Sequence, residues 1–181
     1  MNPVDRLKAE YESIAQLLQD QLEVSLLNDL NKHFRKVLLL AAGSYFESQV
    51  STALGEYVRV ATNGDLRLVN FLQKAAISGR YHTLFEWGKQ NDIAGFGTNA
   101  NKFWSYFGDQ FKVETSAELK QRPEIVQAIK AFIEIGHLRN ILVHSNLAEY
   151  EYEDKTTEEI YQLFKRAEPF ISYMRQKLQL E

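Results

Sequence analysis

Cysteine is absent from the 181-residue chain, which removes disulfides, thiolate metal sites and thiol nucleophiles at one stroke. A cytoplasmic location is the expectation this sets, because reducing compartments make little use of disulfides. Proline and glycine are scarce, at three and nine residues. A β-rich fold needs turn residues at short intervals, and there is too little material here to supply them. The longest apolar run is only Val37 to Ala42, against about 20 residues for a bilayer span. The opening Met1-Asn2-Pro3-Val4-Asp5-Arg6 carries no signal-peptide apolar core, so no membrane association is expected. An excess of positive charge is also missing. The formal net charge of −3 gives no global attraction to a polyanion, and any RNA contact must come from a local patch.

What remains is helical material, and 181 residues are enough for one domain with a sizeable core, taken as 1–181. From Pro3, Leu7, Tyr11, Ile14 and Leu18 recur with the period of an amphipathic helix facing a core. A second, long helix is expected from Phe34 to about Ala61. Its middle, Leu38 to Ser44, is apolar on all sides, and Gly43 and Ser44 are small enough to let another helix approach closely. Thr62-Asn63-Gly64-Asp65 is a turn. A short helix begins at Leu66 and breaks at Ser78 and Gly79, and the most loop-like part of the chain runs from Lys89 to Asn101. The aromatic cluster Phe103, Trp104, Tyr106, Phe107 and Phe111 reads first as core, with stacking on unpaired bases as the functional alternative.

After the polar stretch Thr115 to Arg122, Pro123 and Glu124 open a helix with Ile125, Ile129, Phe132 and Ile133 on one face. That helix should end near Ser145 and Asn146. The acidic run Glu149 to Asp154 reads as a solvated loop that repels an RNA backbone. Thr156 and Glu159 form a capping box, after which Ile160, Phe164, Ala167, Ile171, Met174 and Leu178 step along a last amphipathic helix. The expected fold is all-α, a bundle of four main helices with short additional ones.

Inside the late helix stands Ile135-Gly136-His137-Leu138-Arg139-Asn140-Ile141-Leu142-Val143-His144, which sets an arginine, a carboxamide and an imidazole in an apolar run. Arg139, Asn140 and His144 match an Arg-Asn-x-x-x-His signature, and the chain resembles the HEPN superfamily of small helical ribonucleases and their inactive relatives. The Gly-Ser-Tyr-Phe-Glu patch on the early helix and the aromatic-rich middle make the RiboL-PSP subgroup the best match. The resemblance implies metal-independent endoribonuclease activity, with RNA cleaved by its own 2′-hydroxyl. It assigns catalysis to Arg139 and His144, support to Asn140, and a cleft-facing place to Glu47. No cofactor is implied. It also implies a homodimer and a link to toxin-antitoxin or defence systems, with an antitoxin or defence partner protein.

Two departures qualify it. Ser145 stands where many relatives have glycine, and Asn146 stands where toxins paired with a nucleotidyltransferase antitoxin have a tyrosine, which makes that type of partner doubtful.

At about 100° per residue, Arg139 and His144 are separated by about 140° around the helix, whereas Asn140 and His144 lie on nearly one face. A symmetric dimer with the 139–144 stretches facing each other would bring the groups together, using apolar neighbours such as Leu138 or Ile141. The alternative is a non-catalytic HEPN-like module for dimerisation, partner binding or RNA binding. Glu134-Ile-Gly-His137 is half of a di-iron bundle motif, but no other histidine has a glutamate three residues before it. No metal site is therefore expected.

Overall fold

Asn2 starts the first helix by a reciprocal cap. Its side chain accepts the Asp5 N–H at 2.8 Å, and the Asp5 carboxylate accepts the Asn2 N–H at 3.3 Å. The computed structural model describes residues 1–88, 97–145 and 155–180. Helix α1 runs Pro3–Asp20, with Pro3 in its first turn, and α2 runs Val24–Ala61. At 38 residues, α2 is about 57 Å long; it begins ten residues before the Phe34 expected from the apolar period. The turn after it forms as expected, with Asn63 and Gly64 at positive φ.

Asp65 caps α3 (Leu66–Leu72), accepting the Arg67 and Leu68 N–H groups. The helix widens into a π-helical segment, Gln73–Ile77, and stops at Ser78 and Gly79 as expected. Three short helices follow, α4 (Tyr81–Leu84), α5 (Asn101–Ser105) and α6 (Asp109–Leu119). The polar Thr115 to Leu119 stretch is thus the second half of a helix. Then come α7 (Pro123–His144) and α8 (Thr157–Lys177), the latter opened by the Thr156–Glu159 capping box.

Helices α7 and α8 pack on each other and on α2, and α1 lies along α2. The result is an all-α bundle of four long helices with short ones attached, and no strand occurs among the described residues. Aromatic rings fill its centre. Phe132 packs 5.4 Å from Phe46 and 4.7 Å from Phe170, centroid to centroid, and each fully buried ring contributes about 1.5–3 kcal/mol of transfer free energy. All four residues expected on the α7 face are buried, as are the six on α8. Phe103 and Trp104 of the aromatic cluster are core, whereas Tyr106 is 59% exposed. Pro169 sits inside α8, where it cannot donate a backbone hydrogen bond to the preceding turn.

The stripe on α1 is only partly buried. Leu7 and Tyr11 pack against the core, but Ile14 is exposed. Ser44 is also exposed, so it is not a site of close helix approach. No described helix is long and apolar enough to cross a membrane. The acidic run, Asn146 and most of the expected loop after Lys89 lie outside the described residues.

Candidate functional site

The close approach expected at Gly43 exists, but what approaches is a side chain. A Cβ placed on Gly43 would lie 2.8 Å from Cγ and 3.2 Å from Cβ of Arg139. The arginine stem therefore lies flat on α2 in the space a missing methyl leaves. One turn further along α2 is Glu47, whose Oε2 is 3.4 Å from Nη2 of Arg139. Arg139 Nη1 donates to Oδ1 of Asn140 at 3.3 Å, and its Nε is buried with no partner. Both contacts are at the long end for hydrogen bonds, so a group with five donors is loosely held and has capacity left for a further acceptor. The arginine side chain is 25% exposed and that of Glu47 39%.

Tyr81 completes the surroundings. It is buried, and burial pushes its phenol far above the usual range, with the Glu47 charge raising it further and Arg139 opposing. Its hydroxyl thus sits in the field of the ion pair. Nothing in the local sequence marks Tyr81, because its place depends on tertiary packing alone. That packing turns on Gly136. A Cβ there would fall 2.0 Å from Cζ3 of Trp87, so the Trp87 ring lies directly on α7, one turn before Arg139. The Tyr81 and Trp87 rings are 5.3 Å apart, and Trp87 Nε1 donates to the His82 carbonyl at 3.0 Å.

His144 stands apart from this group. It is the last residue of α7 and exposed. Helical rise and rotation put it about 7.5 Å along the axis and about 140° round from Arg139. The helix stays regular to this point, and Ser145 ends it with extended backbone while its hydroxyl donates to the Ile141 carbonyl at 2.8 Å. The structure thus joins Arg139, Asn140 and Glu47 and leaves His144 on a neighbouring face.

Leu138 and Ile141, the apolar residues expected at an interface, are 3% and 7% exposed and belong to the chain's own interior. Val143, at 49%, is the exposed apolar neighbour of the motif. Glu134 pairs with Lys155 at 2.8 Å, and His137 is buried. Among the described residues no cluster of three or more His, Asp or Glu side chains could hold a metal.

A four-helix core with an Arg-Asn-x-x-x-His run at the end of its third long helix defines a bundle of the HEPN type. The chain belongs to the RiboL-PSP-HEPN family, whose model matches residues 5–179. Neither a curated protein nor a solved structure matches it.

Proposed function

We propose that the protein is a metal-independent endoribonuclease serving as a toxin or defence effector. The observation that carries this reading is the Arg139 guanidinium, held at Glu47 with donors to spare and with an exposed His144 on the same helix. In the reaction the 2′-oxygen of a ribose attacks the adjacent phosphorus. The P–O2′ bond forms and the P–O5′ bond breaks, leaving a cyclic phosphate and a 5′-hydroxyl. His144 takes the proton of the attacking hydroxyl or supplies one to the leaving oxygen, a task imidazole suits near neutral pH. Arg139 binds the non-bridging phosphate oxygens and offsets the charge that builds on them. Asn140 orients the guanidinium, and Glu47 holds it on the α2 side until a phosphate competes for it.

The divergence of Arg139 and His144 supports a symmetric homodimer as the active form, in which an arginine of one copy serves a cleft shared with a histidine of the other. Val143 is the motif's own exposed apolar contribution to such a contact. The test is cleavage of structured RNA in EDTA. His144→Ala and Arg139→Ala should each lower the rate about 100-fold or more while the protein stays folded. Wild-type rates in a folded His144→Ala protein overturn the assignment and favour the non-catalytic HEPN-like module. The dimer is checked by activity per chain against concentration, alongside sedimentation. Constant activity in the monomeric range removes the shared cleft.

A further inference from the structure

Away from Arg139, a concavity of about 580 Å³ opens between α2, the π-helical segment, α4 and α5. Its volume is within the range of ligand sites, roughly 300–1,000 Å³. Tyr57, Phe103, Tyr106 and Phe107 supply aromatic wall, and among the described residues Arg80 is the one charged residue of the lining. Among the described residues no carboxylate lines it, although the chain as a whole carries net negative charge.

Several features show how the pocket is formed and kept open. Gly55 lets the π-helical segment come close: a Cβ there would be 3.1 Å from Oε1 of Gln73. Ala75 and Ala76 then line the opening with short side chains. Such widened helical turns recur at functional sites. Tyr57 and Phe107 brace each other edge to face at 5.6 Å, and Phe103 and Phe107 do so at 5.3 Å. Tyr106 remains 59% exposed, with its hydroxyl donating to the Thr83 carbonyl at 3.3 Å. An exposed aromatic ring, tied at its polar end beside an arginine, is suited to stack on a planar group that carries an anion.

We propose that this pocket takes one nucleotide unit, its base against the aromatic wall and its phosphate on Arg80. As a subsite for an unpaired residue of an RNA strand it rests on the ribonuclease reading; as a seat for a free mononucleotide it does not. Chain connectivity joins the pocket to the candidate site, because Arg80 lines the one and the next residue, Tyr81, lies in the field of Arg139 and Glu47. An occupied pocket would therefore bear on α4, the helix that carries Tyr81.

The experiment measures equilibrium binding of three probes to the full chain: 5′-AMP, adenosine, and a 2′-O-methyl oligoadenylate that has no 2′-hydroxyl to attack. Arg80→Gln and Tyr106→Leu alter exposed side chains and should leave the fold intact. Each is expected to weaken binding of the charged probes about tenfold, and adenosine should bind about tenfold more weakly than AMP. Binding of the oligonucleotide but not AMP identifies an RNA subsite, and the reverse identifies a free mononucleotide. If both variants bind like the wild type, or the wild type binds no charged probe, the pocket assignment is overturned. Arg80-dependent binding of AMP by a protein that cleaves no RNA sinks the ribonuclease reading and keeps the pocket. Cleavage and binding that both ignore Arg80 and Tyr106 do the opposite.

Discussion

Gly43 and Arg139 form a contact that only a residue without a Cβ permits, since a methyl at position 43 would sit 2.8 Å from the arginine Cγ. The conflict falls at the root of the side chain, where it cannot swing clear without turning the whole guanidinium away from Glu47.

Gly43→Ala separates stability from activity. Alanine gains roughly 1 kcal/mol of helix propensity over glycine, which offsets much of the steric cost, so the melting temperature should move little. Cleavage should fall about tenfold or more, because small displacements of a positioning group are expensive. Parallel thermal melts and RNA cleavage rates check this, and an unchanged rate would show that the arginine does not need its place on α2.

Glu47→Gln keeps an oxygen for Arg139 and removes a negative charge beside the phosphate. With the competing carboxylate gone, the apparent KM for a short RNA should drop about threefold while kcat stays within about twofold. Glu47→Ala removes the orienting oxygen as well and should lower kcat. Steady-state kinetics on both variants distinguish a competing group from an orienting one.

Gly136→Ala should be the costlier glycine substitution for stability. A Cβ 2.0 Å from the Trp87 ring forces the aromatic off α7, and overpacking of this kind costs about 1–3 kcal/mol. The double variant Gly136→Ala/Trp87→Leu should lose less than the two single losses summed. Urea denaturation of all four proteins reads the coupling.

Acid stability should depend on Asp5. Burial acts to raise its pKa, but the Asn2 N–H, the Tyr161 hydroxyl and Lys165 outweigh it and hold the carboxyl below its usual range. A lowered carboxyl stabilises the fold above its unfolded-state value and loses that contribution as pH falls through the folded one. Asp5→Asn should therefore be less stable than wild type at neutral pH, with the gap closing between about pH 5 and pH 2. Urea titrations across that range check the sign; a gap that widens on acidification would contradict it.

Much of the bundle was legible because caps and apolar periods are local. Pro123, the Thr156–Glu159 box and the break at Ser78 and Gly79 all mark real boundaries. The start of α2 was not, since Asn28, Asp29 and Asn31 dilute the period and Glu23 provides no side-chain cap. Helix α6 buries only Thr115 and Leu119, too few to imprint a stripe. At the site, the motif could be read from its residues and Glu47 was named through the family resemblance, while Gly43 was recognised as a place of close approach. That a side chain would occupy it, and that Tyr81 would lie beside the pair, depend on how three separate segments meet, which no single stretch encodes.

The length of α2 makes it one helix in shape and two in stability. None of residues 9–33 is buried, and Ile14, Leu17 and Leu26 are about half exposed or more, whereas Leu38, Leu39 and Ala42 are fully enclosed. Backbone hydrogen bonds near Leu30 have no buried side chain over them, so their amides should exchange with solvent through local opening. Those around Ala42 exchange only when the whole bundle comes apart. A gradient of deuterium uptake along a single unbroken helix is the consequence, with the Gly43 seat of Arg139 at its slow end.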